Sequence, residues 1–396
     1  MPDSPVLLND PQSAIRAMVD QIEPGLIEVR RDIHAHPELA FEEVRTAGVV
    51  ARELTRLGVP HTTGIGITGV VGIIKGGRPG PTLAIRADMD ALPILEQTGL
   101  LFASKTPGLM HACGHDIHTT TLLGVAAVLQ NLAPQMAGTV KLIFQPAEEA
   151  IGGAERMMAE GVLDDVDTAL SLHNYPGLPV GKFGYCRGPA LAAADTIEIT
   201  VHGKSGHAAH PYSAVDPVVA AAALIGQLQT VVSREVKPLH PAVVTIGAIH
   251  GGVAPNIIPD FVTLKGTVRT LHAEARDTAE AAIKRLCAGM LEGMRVRVDC
   301  VYTRGVPSMV NSDVVLNPTI AAVRAQFGDV LVESPPSMGA EDFALMSQVR
   351  PAFMLGVGSG APGRDDHLHN SDYQPDEACI GLGVQAIARA AFEMLT

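Results

Sequence analysis

Short apolar runs bounded by glycine, proline and acidic residues alternate along this chain with longer stretches of helical period. Residues 11–57 carry helical spacing with a break near His36-Pro37, because proline disfavours the helical backbone for the residue before it. His34 and His36 flank that break and read as a hydrogen-bonded or solvated pair. Buried strands are predicted over 69–75 and 82–86, separated by Gly76-Gly77-Arg78-Pro79-Gly80. The second strand runs directly into Asp88-Met89-Asp90. Residues 119–132 have the spacing and length of a helix, and 140–144 form a strand that ends in Gln145-Pro146-Ala147-Glu148-Glu149. A short helix over 153–161 stops at a glycine, and a strand over 169–172 delivers His173.

This alternation predicts an α/β domain with a mainly parallel sheet. Its polar clusters fall where strands finish: Asp88 and Asp90, Glu148 and Glu149, His173. Ligands of open α/β sheets bind at the carboxyl ends of strands, so one shared site is physically reasonable. Around residues 184–189 the pattern changes. Strands at 196–201, 242–249, 261–270 and 295–302, with helices at 216–232 and 273–290, give the order β-α-β-β-α-β of a ferredoxin-like unit. Beyond Arg304 helices are predicted over 317–327, 341–346 and 377–393, with a strand at 352–357. The expectation is a discontinuous α/β domain, 1–188 and 304–396, interrupted by an inserted α+β domain, 189–303.

A chain of 396 residues has ample material for two cores. Its net charge of −13, without a basic stripe, argues against nucleic acid and against anionic membrane surfaces as partners. No window approaches the ~18 to 20 apolar residues that span a bilayer. Residues 1–20 lack a basic region followed by an apolar run, so no secretory signal is predicted. The five cysteines are odd in number and widely spaced, which suggests no disulfide framework and a reducing, cytoplasmic setting. Four of them sit among apolar or small residues and read as buried core thiols. Cys113 is the exception.

Cys113 lies in Met110-His111-Ala112-Cys113-Gly114-His115-Asp116-Ile117-His118, where a thiol, three imidazoles and a carboxylate crowd one glycine. Together with the strand-end clusters, the candidate metal ligands are Cys113, His115, Glu149, His173 and a late histidine, His369 or His367. Thiolate, imidazole and carboxylate suit a borderline ion such as Zn²⁺, Ni²⁺, Co²⁺ or Mn²⁺. Neighbouring residues on an extended segment point opposite ways, so Glu149 can hold metal while Glu148 faces a water. A free carboxylate there can accept the proton of an attacking water. In the inserted domain, His207 in Gly203-Lys204-Ser205-Gly206-His207-Ala208-Ala209-His210-Pro211 can donate to a developing oxyanion. Asn256 and Arg269 can hold a substrate carboxylate.

Several of these motifs, in this order, resemble the hippurate hydrolase branch of the aminoacylase and carboxypeptidase G metallopeptidase family. They are the loop around Cys113 and His115, Arg86-Ala87-Asp88-Met89-Asp90-Ala91-Leu92-Pro93-Ile94, Phe144-Gln145-Pro146-Ala147-Glu148-Glu149, the loop around His207, and Asn256-Ile257-Ile258-Pro259. The likeness runs from Arg30 to Asn370. It implies a zinc-peptidase-like catalytic domain with a lid and dimerisation insert, and a homodimer or homotetramer. It also implies an amidohydrolase with two divalent transition-metal ions, cleaving N-acyl amino acids to a carboxylic acid and a free amino acid. By the resemblance, Cys113 bridges the ions, His115 and His173 complete one site, and Glu149 and His369 the other. Glu148 is the general base, His207 stabilises the tetrahedral intermediate in cis or in trans, and Asn256 and Arg269 grip the carboxylate. Asp90 orients a ligand. The chain departs from the carboxypeptidases, which carry His-x-Asp at Asp88-Met89-Asp90 and an aspartate at Cys113. N-acetyl-diaminopimelate deacetylases and auxin-amino-acid hydrolases share the branch and are alternative activities. A cysteine-nucleophile amidase using Cys113 and a non-catalytic metal-binding relative are the other classes to discriminate.

Overall fold

The computed structural model describes residues 10–150 and 152–396; the expectation for 1–20 lies, over 1–9, outside them. The chain forms two compact units, one of Met1–Gly188, Val310–Pro335 and Leu345–Thr396, the other of Pro189–Met309 and Pro336–Ala344.

In the first unit α1 (Pro11–His34) starts at a proline, and the Asp10 carboxylate accepts the N–H groups of Gln12 and Ser13. After α2 (Val44–Arg56) come β1 (His61–Ile65), β2 (Gly69–Lys75) and β3 (Arg78–Asp88). Next are α3 (His115–Leu132), β4 (Ala137–Gln145), α4 (Gly153–Ala159), β5 (Thr168–Pro179) and β6 (Phe183–Tyr185). The linking strand β7 (Gly188–Leu191) leads to β8 (Ala193–His202), β9 (Gly206–His207) and α5 (Pro217–Thr230). Then follow β10 (Ala242–Gly251), β11 (Ile257–Ile258), β12 (Phe261–Thr270), α6 (Ala273–Met294) and β13 (Arg297–Arg304). The chain closes with β14 (Met309–Asn311), α7 (Asp313–Phe327), β15 (Leu331–Glu333), α8 (Phe343–Val349), β16 (Ala352–Gly360) and α9 (Ala378–Met394).

The first unit is built on an eight-stranded sheet in the order β1-β2-β4-β3-β5-β16-β6-β15. Its centre is parallel, with β3 beside β4 and β5, and β5 beside β16. The pairs β1–β2, β2–β4 and β16–β6 are antiparallel. The fold is thus α/β with a mainly parallel sheet, as the strand–helix alternation implies. Helix α3 is buried nearly all round, and it packs among α1, α9 and the central strands. It starts four residues ahead of the predicted helix, because the polar run His115-Asp116-Ile117-His118 hides its first turn. Similarly α7 begins at Asp313 rather than 317: Ser312 caps it by accepting the Val314 N–H, and Pro318 is absorbed within the helix.

The second unit holds the antiparallel sheet β10-β12-β8-β13. With the connection order β8-α5-β10-β12-α6-β13, this is the ferredoxin-like arrangement. Its own core includes Ile197, Ile199, Val201, Leu224, Leu228, Val262, Leu264 and Ile283. All five cysteines are free. Cys186, just past the end of β6, and Cys300, midway along the half-exposed strand β13, are only half-buried, against the expectation of core thiols. Among the described residues no helix is long and apolar enough to cross a membrane.

Candidate metal centre

Strand β3 ends on Asp88, and the buried chain continues to Asp90. Arg86 donates to Asp88 Oδ2 at 2.7 Å, and His118 Nδ1 donates to Asp88 Oδ1 at 2.6 Å. His118 Nε2 in turn accepts the N–H of Asn174 at 2.9 Å. Both ring nitrogens of His118 are committed, so it is a neutral brace and has no lone pair for a metal. Burial and the neighbouring His173 and His115 push its pKa down to about 4, against the pull of Asp88. Burial opposes the charge on Asp88, but His115, Arg86 and His118 hold it well below the usual carboxylate range.

Gly114 caps α3 in the left-handed region, at φ 83°. A side chain there would meet the Asn174 amide at 2.2 Å, so only glycine lets the loop turn this tightly. The turn aims Cys113 and His115 at the loop after β4 and at the middle of β5, where His173 lies. Cys113 Sγ lies 3.6 Å from His173 Nε2. His173 Nδ1 donates to the carbonyl of Asn174 at 2.7 Å, which leaves the lone pair on Nε2. His115 Nδ1 donates to Asp90 Oδ1 at 3.2 Å and likewise presents Nε2.

After β4 the chain turns through Ala147, a non-glycine residue at φ 52°. Three successive N–H groups of this loop are held by two buried carboxylates. Ala147 donates to Glu43 Oε1 at 2.8 Å, Glu148 to Asp90 Oδ1 at 3.1 Å, and Glu149 to Asp90 Oδ2 at 3.0 Å. The result differs from the strand-like alternation expected of Glu148 and Glu149. Carboxylate oxygens of both, with a ring nitrogen of His115, lie within 4.8 Å of one another. A loop turned by a positive φ is not bound by the period of two.

The last component arrives from residue 369. His369, also left-handed at φ 65°, donates its N–H to Ala112 O at 2.9 Å and places Nε2 3.1 Å from Glu149 Oε1. His367 is exposed and faces Asp365 at 3.7 Å, so of the two late histidines His369 is the one at the cluster. Donor atoms of Cys113, His115 and His173 lie within 4.8 Å of one another, and those of Cys113, Glu149 and His369 do the same. The Cys113 thiol is common to both triads.

The donor set fits a cation. His115 Nε2 is buried without a hydrogen-bond partner, and Glu149 Oε1 accepts none although His369 stands beside it. Orphaned buried polar atoms are costly unless something else satisfies them. Burial works against a charge on His115, yet Asp88, Cys113 and Asp90 raise its pKa well above the ordinary imidazole value. The negative surroundings that bind this proton would bind a cation in its place. Burial pushes the Cys113 thiol well up, with Glu149 and Glu148 adding to the effect against His115. The thiol on its own is therefore a poor nucleophile, which disfavours a cysteine amidase. A thiolate is what a bound cation would stabilise.

Residues 84–393 match the peptidase family M20/M25/M40. The chain belongs to this family. As an M20 member it is 40% identical over 375 residues to N-acetylcysteine deacetylase of Bacillus subtilis, covering 93% of this chain and 97% of that protein. It is 37% identical over 372 residues to hippurate hydrolase of Campylobacter jejuni, covering 93% and 96% respectively. The solved structure of Bacillus subtilis YXEP, a dinuclear metal binding peptidase from the M20 family, matches with a TM-score of 0.85 at 37% identity, covering 95% of this chain and 99% of that one.

Other predicted residues of this M20 chain lie in the second unit, outside these donor groups. His207 sits exposed on β9, opposite Ile257 of β11, and Ala208 donates to Asn256 O at 3.0 Å. His207 and Asn256 thus share one two-stranded ribbon. Arg269 lies on β12 between Val243 and Ala194. Asn174 and Glu43, both at the metal centre, have no counterpart among the sequence candidates. Asn174 follows the candidate ligand His173, and that adjacency is its one sequence signal. Glu43 stands ahead of α2 among ordinary surface-type residues and carries none.

Proposed function

We propose that this protein hydrolyses the amide bond of N-acyl amino acids, releasing a carboxylic acid and a free amino acid, with two divalent transition-metal ions per subunit. The observation that carries this reading is the pair of donor triads sharing Cys113. Cys113, His115 and His173 would hold one ion, and Cys113, Glu149 and His369 the other, with Mn²⁺, Zn²⁺, Ni²⁺ or Co²⁺ suited to the donors. Bound ions supply Lewis acidity and lower the pKa of water. Glu148, beside Glu149 and His115, accepts the proton of the attacking water and returns it to the leaving amine. His207 donates to the tetrahedral oxyanion, from the same chain or from a partner subunit, and Asn256 and Arg269 bind the amino-acid carboxylate; these three roles rest on their motifs. Residues 189–303 serve as lid and dimerisation domain of a homodimer or homotetramer, in the cytoplasm.

Hippurate-like substrates, N-aroyl or N-acyl amino acids, are the first choice. A deacetylase acting on N-acetyl substrates is the second, supported by the 40% identity to the Bacillus subtilis deacetylase. Auxin-type conjugates and N-acetyl-diaminopimelate complete the panel. Initial rates on N-benzoyl, N-acetyl and indole-acetyl amino acids should show amide hydrolysis that a chelator abolishes and a divalent ion restores. Activity that survives thorough metal removal yet is lost on thiol alkylation would overturn the reading. A strong preference for N-acetyl-diaminopimelate would replace hippurate as substrate and leave the chemistry intact.

A further inference from the structure

We infer that Asn174 is a positioning residue that sets the distance between the Cys113 thiol and the His173 ring; the inference rests on the two-metal reading above. Asn174 is fully buried, and each of its four polar groups is committed around the centre. Its side-chain Nδ2 donates to the carbonyl of Cys113 at 2.7 Å. Its Oδ1 accepts the hydroxyl of Tyr373, also fully buried, at 2.8 Å. Its backbone N–H donates to His118 Nε2, and its backbone carbonyl accepts His173 Nδ1.

The chemistry of these partners leaves no freedom of assignment. A carbonyl only accepts, so the amide nitrogen must face Cys113 and the amide oxygen must face Tyr373. For the same reason His173 carries its proton on Nδ1 and directs the Nε2 lone pair toward Cys113 Sγ, 3.6 Å away. The side chain therefore fixes the loop that carries the thiol, and the backbone carbonyl of the same residue, which any side chain would leave in place, fixes the tautomer of the imidazole. The Asn174 amide also lies against Gly114, where an added Cβ would come within 2.2 Å of it, so the turn after Cys113 is shaped around this side chain. Through His118 the arrangement extends to Asp88. Nothing in this list of partners needs Asn174 to touch substrate; it acts through Cys113 and His173.

The test uses the full-length protein with Co²⁺ alone as probe, followed by calorimetry and by the thiolate-to-cobalt absorption band. Wild type should bind Co²⁺ and show the band, and Cys113→Ala should lack the band. Asn174→Ala should weaken Co²⁺ binding by about tenfold to a hundredfold, the range expected on loss of a group that orients metal ligands. Its band should weaken or shift, and kcat should fall more than KM rises. Tyr373→Phe removes only the hydroxyl that holds the amide, and should move affinity and band in the same direction by less. A folded Asn174→Ala protein with wild-type affinity and an unchanged band overturns the inference while leaving the two-metal reading in place. Should that variant not fold, Tyr373→Phe decides, and wild-type affinity and band in it overturn the inference. Wild type that takes up no Co²⁺ overturns the two-metal reading itself, and Asn174's role with it.

Discussion

Asp90 Oδ1 lies 3.2 Å from His115 Nδ1, and this contact joins the start of α3 to the segment after β3. The same carboxylate accepts the backbone N–H groups of Glu148 and Glu149. One buried side chain thus orients a candidate ligand and shapes the loop that carries both a ligand and the candidate base. Replacing Asp90 by alanine should lower metal affinity by about tenfold to a hundredfold, as loss of a partner behind a ligating histidine does. Metal titration of the folded variant checks it, and unaltered affinity would make the Asp90–His115 contact structural only.

Glu148 and Cys113 should separate chemistry from binding. Glu148→Gln preserves shape but cannot take a proton, so it should keep its metal and lose at least about a hundredfold in kcat. Cys113→Ala removes the donor shared by both triads and should lose metal and activity together. Metal analysis of the purified variants beside their turnover is the measurement. Equal metal loss in the two proteins would contradict the assigned roles.

Metal affinity should rise with pH. The His115 and Cys113 pKa values are both raised, so each keeps its proton further up the scale, and an arriving cation must displace it. Binding should release on the order of two protons. Calorimetric titration in buffers of different ionisation enthalpy counts them. In the metal-free protein the same shift has a stability sign. A raised His115 pKa stabilises fully below the ordinary imidazole value of 6.5, and that contribution is lost as pH rises through the folded value.

Arg30 and Asp116 form a buried ion pair at 2.8 Å, with His34 donating to the same carboxylate oxygen at 2.8 Å. Burial opposes the charge on Asp116, yet Arg30 and His34 hold its carboxyl far below the usual range. The stabilisation is therefore present above the ordinary carboxylate pKa of 3.8 and lost as pH falls through the folded value. Arg30→Met would leave the buried Asp116 with His34 as its remaining charged partner, at a cost of up to about 3–5 kcal/mol. Denaturant unfolding checks this, and Arg30→Met combined with Asp116→Asn should recover part of the loss.

Local period and local chemistry are properties of neighbouring residues, and they carried the elements, the α/β and ferredoxin-like classes, and the position of Asp90 and Glu149 just beyond β3 and β4. His173, expected at a strand end, lies midway along β5 because pairing with β16 continues the strand to Pro179. The crowding around Cys113 was equally visible, since it needs only nine consecutive residues. Convergence was a different matter. Asn174 reaches Cys113 across 61 positions, and Glu43 reaches Ala147 across 104. Those meetings depend on strand order and on left-handed turns at Ala147 and His369, neither of which the spacing of apolar residues encodes. The sequence by itself determined which donors exist and that strands would deliver them to one edge of a sheet. The tertiary structure decided that His118 is a brace, because both its ring nitrogens are committed to Asp88 and Asn174, and that His369 rather than His367 stands beside Glu149, because the turn at residue 369 carries it there.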